Sequence, residues 1–183
     1  MKTKTIAMIM AMVMMVVGLV GATLAWLTAK TETITNTFTA SDITVTLTET
    51  NGTSYKMIPG YTIKKDPKAK VETGSEECWL FVKVEKSTNF DTYMTYVMAD
   101  GWTLVTDTTN VYARKVEADN IGTSYSVLKD DQVTVKGTVT KADMQAAGTT
   151  APTLKFTAYA SQLNKNADEE FDAAEAWANV PKS

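Results

Sequence analysis

From Ile43 to Thr48 the chain runs Ile-Thr-Val-Thr-Leu-Thr, with three apolar side chains on one parity and three threonines on the other. Successive side chains of an extended strand point to opposite faces, so this run fits a strand with one dry and one wet side. Its neighbours extend the pattern. Threonine occurs 28 times between residues 26 and 183, and a β-branched side chain restricted at χ1 suits a half-exposed pleated surface. The reading is therefore a sheet protein.

Short segments of the same kind recur between Gly, Pro, Asp and Asn. Asn51-Gly52 tolerates the positive φ of a tight turn, so a hairpin is expected there, with residues 53–58 as the returning strand. Further strands are expected over 61–65, 69–73, 78–86, 92–98, 102–106, 111–116, 125–128, 133–139 and 154–160. Residues 78–86 are the most hydrophobic of these and suit a central strand, with Leu80, Val82 and Val84 on one face and Trp79, Phe81, Lys83 and Glu85 on the other. Many short strands at this spacing predict an all-β fold, a jelly-roll-like antiparallel β-sandwich. One or two short helices decorate it. Residues 141–147 end at Gly148, and 168–178 place Asp168, Glu169 and Glu170 where a helix dipole favours negative charge. Phe171, Ala174, Trp177 and Ala178 would then form one face, docked on the chain's own sheet.

The beginning of the chain has a different character. Lys2 and Lys4 precede an uncharged run from Thr5 to Ala29, and six of the ten methionines lie within the first fifteen residues. A run this long can span a bilayer, so an uncleaved anchor is one reading. The small residues Gly18, Gly21, Ala22, Thr23 and Ala25 favour the other, a signal helix removed between Ala25 and Trp26, with Ala29 as a second cleavage choice. Residues 1–25 would be the signal peptide and 26–183 a single β-sandwich domain of net charge −5. Membrane contact is then made only through an uncleaved signal segment.

Composition removes several kinds of chemistry. The chain has no histidine and one cysteine, so histidine-based triads, imidazole metal sites and internal disulfides are excluded. Cys78 suits a core position. The carboxylates at Glu76-Glu77, Asp100, Asp107, Asp119 and Asp130-Asp131 lack calcium-loop spacing and suit solvated loops. No catalytic, cofactor-binding or metal-binding residue is assigned, and the scattered lysines give no basic patch for nucleic acid. Residues 26–39 have strand-forming composition and no helix signal. Trp26 and Leu27 need an apolar site, either on the same molecule or on a neighbour.

The segment Gly21 to Thr28, followed by Thr35-Asn36-Thr37-Phe38-Thr39-Ala40 and Ile43 to Glu49, resembles the start of the TasA/camelysin family of exported proteins of Gram-positive bacteria. Met57-Ile58-Pro59-Gly60-Tyr61-Thr62-Ile63-Lys64-Lys65-Asp66 is similar to the family's Pro-Gly turn and Lys-Asp strand end, on Pro59, Gly60, Lys65 and Asp66. The strand 154–159 is a third, weaker likeness. The resemblance implies processing by a SipW-type signal peptidase and a secreted fibre subunit of the extracellular biofilm matrix or cell surface. Residues 26–39 would be the donor strand that completes the next copy's sheet, with Trp26, Leu27, Ile34 and Phe38 as anchors, and an accessory matrix protein could take part. Its alternatives are a monomeric surface adhesin and the metalloendopeptidase activity of camelysin. The latter conflicts with the missing His-Glu-x-x-His motif.

Overall fold

The computed structural model describes residues 3–4, 6–8, 10, 42–52, 54–147 and 150–181. It divides into two compact units, Met1–Thr39 and Ala40–Ser183. In the first, Thr3, Lys4, Ile6, Ala7, Met8 and Met10 are helical and exposed. Among the described residues no helix is long and apolar enough to cross a membrane. The expected cleavage point at Ala25 and Trp26 and the expected donor strand 26–39 lie outside the described residues.

The regular structure of the second unit is mostly antiparallel strands. In chain order they are β1 Val45–Thr48, β2 Thr62–Lys64, β3 Lys68–Val71, β4 Cys78–Lys86, β5 Met94–Thr95, β6 Thr103–Leu104, β7 Val111–Val116, β8 Ser124–Ser126, β9 Gln132–Val135, β10 Leu154–Gln162, β11 Asn164–Asn166 and β12 Glu169–Glu170. Among the described residues three short α-helices accompany them, α1 Phe90–Tyr93, α2 Lys141–Ala147 and α3 Ala173–Ala178, with 3-10 turns at Ala118–Asn120 and Lys129–Asp131. One sheet has the order β10-β4-β7-β6, with β4 central as its apolar sequence requires. The facing layer consists of β1-β3-β8 and β2-β9-β5. Lys65 N donates to Asp131 O at 2.8 Å and Val127 N to Pro67 O at 2.9 Å, which joins these two groups into one surface.

Two layers create two dry faces on the first sheet. Leu80, Val82 and Val84 of β4 pack with Ala69 and Val71 of β3 and with Val127, forming the core between the layers. Phe81 projects the other way and packs with Val111, Ala113, Ala176 and Val180, beneath α3. Strand alternation alone divides β4 between the two cores. Phe90, Leu128 and Val133 form a third cluster, against which Leu154 and Phe156 of β10 pack. Trp79 and Trp102 satisfy their indole N–H groups on Phe171 O and Ser126 O, at 2.8 and 2.9 Å. The architecture is an all-β sandwich with short decorating helices.

Three local expectations are corrected. The chain bends at Thr50-Asn51, with Gly52 at φ 83°, but no hairpin turn follows and residues 54–58 form no strand; β1 pairs instead with β3, from Val45↔Val71 to Thr48↔Lys68. The Asp66 carboxylate accepts the Thr50 and Asn51 N–H groups that a hairpin ladder would need. Residues 92–98 are not one strand, because a helical turn at 90–93 buries Phe90 before the two-residue β5. The last helix begins at Ala173, not Asp168. Asp172 caps it through the Ala174 and Glu175 N–H groups in a capping box with Glu175, while Glu169 and Glu170 form β12, paired with β11. As a result Ala176 is buried and Ala178 is exposed. Docking of α3 on its own sheet stands, since Trp177 lies 5.3 Å from both Phe81 and Tyr159, centroid to centroid.

Candidate functional site

Among the described residues β10 is an edge strand, paired with β4 on one side only. Val84 N donates to Asn110 O on the β7 side at 2.8 Å, so by alternation the odd residues of β4 bond toward β10. The register Ala158↔Val82 and Tyr159↔Phe81 then assigns Tyr159, with Thr157 and Ser161, to that ladder. Phe156, Ala158 and Ala160 turn their main-chain groups outward. No backbone bond from these groups to another described residue is present.

Beside this edge runs a groove of about 800 Å³. Leu47, Thr48 and Glu49 line it from the β1 layer and Leu154, Phe156 and Thr157 from β10, with Ile63, Phe90 and Val133 as further apolar lining. By the same alternation β1 turns its Val45 and Leu47 main-chain groups to the side where no described strand pairs, because Thr44 O accepts from Glu72 N. Two edge strands thus border one apolar channel. An unpaired edge of this kind templates another strand unless something covers it.

A polar cluster sits at the groove. Lys65 Nζ is 2.6 Å from Glu49 Oε1, and Tyr55 Oη donates to the same oxygen at 3.1 Å and to Gly52 O. The Lys65 ammonium also lies 5.5 Å from the Tyr55 ring centroid and 5.7 Å from that of Phe156, so it reaches between the two layers. Burial, with the Glu49 carboxylate adding to it, pushes the Tyr55 phenol up to about 12. It therefore remains a donor across the biological range.

Asp66 is the one buried charged residue of the described core, 8% exposed. Its Oδ2 accepts from Thr50 Oγ1, and its Oδ1 accepts from Thr50 N at 3.1 Å and Asn51 N at 3.0 Å. The Thr50 hydroxyl bond, followed by the two backbone bonds, holds its carboxyl down at about 2. This carboxylate fixes where β1 leaves its sheet and so shapes the groove wall.

Of the residues singled out by sequence, Lys65 is in the groove lining and Asp66 braces it. Pro59 and Gly60 form the turn that enters β2 at its far end; Gly60 has φ 75° and Tyr61 N donates to Ile58 O at 3.0 Å. Trp26, Leu27, Ile34 and Phe38 lie outside the described residues. Glu49, Tyr55 and Phe156 were not foreseen, since they meet only through packing of distant segments.

Burial pushes the Cys78 thiol up to about 11, so it is an inert core residue. Among the described residues no group of three or more Cys, Asp and Glu side chains gathers where it could hold a metal ion. The described residues of the second unit form an antiparallel β-sandwich with a lateral groove. No family model, curated protein or solved structure matches the chain.

Proposed function

We propose that the chain is an exported structural protein of the TasA/camelysin kind, a fibre-forming subunit of the extracellular matrix. Assembly proceeds by strand addition. Residues 26–39 of one copy, freed by a SipW-type peptidase after Ala25, enter the groove of the next copy and pair with its β10 edge. The expected jelly-roll topology and N-terminal signal helix belong to the same proposal.

The single observation that carries it is the outward edge of the nine-residue β10 beside an apolar groove. Main-chain hydrogen bonds along an open edge supply affinity, and pockets for alternate side chains supply register. Ile34 and Phe38 share parity and supply the apolar side chains such pockets need. A contact of this type joins unlike surfaces and does not close, so it grows into filaments. Until cleavage the donor segment is continuous with the signal segment, which makes peptidase processing the trigger.

Ala158→Pro tests the pairing edge. Proline lacks the N–H that Ala158 turns outward but leaves the β4 ladder intact, a placement that edge strands accept. The expected result is a folded monomer, by circular dichroism and light scattering, that no longer polymerises. Filaments of ordinary length from this variant, seen by negative-stain microscopy, overturn the proposal.

A further inference from the structure

On the opposite face of β10 from the groove, a second cleft of about 400 Å³ lies between Lys83, Tyr159, Trp177 and the 107–110 segment. Tyr159 and Trp177 stand edge to face, with centroids 5.3 Å apart and an interplanar angle of 77°. Both are half-buried, so they offer aromatic surface to the cleft without leaving the α3 core. The rim is the turn between β6 and β7. It contributes the Asp107 carboxylate, the Thr109 hydroxyl and the Asn110 carboxamide, none of which bonds another described residue through its side chain.

That turn is held firmly. Thr108 Oγ1 donates to Val105 O at 2.7 Å, and Val105 N donates to Val111 O at 2.9 Å. Asp107 takes φ 60°, a conformation that costs a non-glycine residue free energy. The turn backbone that carries the polar side chains is thus held in one conformation, which lowers the backbone part of the ordering cost of binding.

Charge selects the ligand. Lys83 is already paired with Glu85 at 3.2 Å, and the nearby Asp107 carboxylate repels anions, so phosphate and nucleic acid are poor fits. One carboxylate beside an ammonium makes an equally poor cation site. The cleft also lacks the free backbone edge that a peptide strand requires. What fits is a neutral ring with an apolar C–H face and peripheral hydroxyl groups: the face lies against one of the two nearly perpendicular aromatic rings, while a carboxylate and an amide take the hydroxyls.

We propose that this cleft binds neutral pyranose oligosaccharides, with Tyr159 and Trp177 as its aromatic wall and Asp107 and Asn110 as hydroxyl partners. The inference is independent of fibre assembly. Its test titrates the full chain, in a sugar-free zwitterionic detergent, with cellopentaose, chitopentaose and maltopentaose, following tryptophan fluorescence and amide NMR shifts. Saturable binding is expected for at least one of them, with shifts centred on residues 107–111, 159 and 177. Asp107→Gly removes the carboxylate and also relieves the left-handed φ, so its fold is retained; Asn110→Ala removes the amide. Each should weaken binding about tenfold or more, since each loses a hydrogen bond to the sugar. No saturable binding of any of the three, or wild-type affinity in both variants, overturns the inference. Both variants should polymerise as the wild type does, so failure here leaves the fibre reading standing and the reverse also holds.

Discussion

The two ends of the β10-β4-β7-β6 sheet are built differently. At one end β6 has two residues, Thr103 and Leu104, bounded by the Asp100-Gly101 turn and the Asp107 turn. At the other, β10 runs nine residues beside an apolar groove. A short, interrupted edge offers a second chain almost nothing to pair with, whereas a long regular one invites it. The comparison teaches that edges are not equivalent: protection at β6 comes from turn chemistry, and among the described residues β10 has none of it.

The largest expected effect lies between the two ends. Phe81→Ala empties the core beneath α3 and should destabilise the fold by about 3–5 kcal/mol, measured by urea denaturation. A much smaller loss would mean that α3 collapses onto the sheet. Ala158→Pro separates edge from interior: it should leave the urea midpoint within reach of wild type while polymer formation disappears. Next comes the groove wall. Because the folded Asp66 carboxyl titrates near 2 against an ordinary 3.8, the stability it contributes is full above about pH 4 and is lost as pH falls toward about 2. Thermal melts across that window should fall for wild type and stay flatter for Asp66→Asn; parallel curves would assign the acid sensitivity elsewhere. Smallest of all, Leu104→Lys at the short edge should change stability by no more than about 0.5 kcal/mol and leave assembly untouched. If Leu104→Lys abolished polymers, the roles of the two ends would be reversed.

Much of the interior was legible from sequence because its signals are local. The apolar run at 78–86, the alternation at 111–116 and the break at Gly148 after 141–147 mark elements whose observed bounds are Cys78–Lys86, Val111–Val116 and Lys141–Ala147. The hairpin at Asn51-Gly52 failed for a non-local reason. Asp66, fifteen residues on, captures the Asn51 N–H, and no periodicity announces that. The β11–β12 pair escaped because polar and charged residues hold it, with Lys165 3.0 Å from Glu169 and Lys115 2.9 Å from Glu170. The groove was invisible for the same reason as the hairpin error: Glu49, Lys65 and Phe156 acquire a common meaning only once two layers are stacked.

The most direct test of strand addition is hydrogen exchange at the Phe156, Ala158 and Ala160 amides, compared between protein beginning at Trp26 in its assembled form and a monomer lacking residues 26–38. The account predicts rapid exchange in the truncated monomer and strong protection in the assembly, while Tyr159 stays protected in both through β4. Equal exchange at Phe156, Ala158 and Ala160 in the two samples would contradict it.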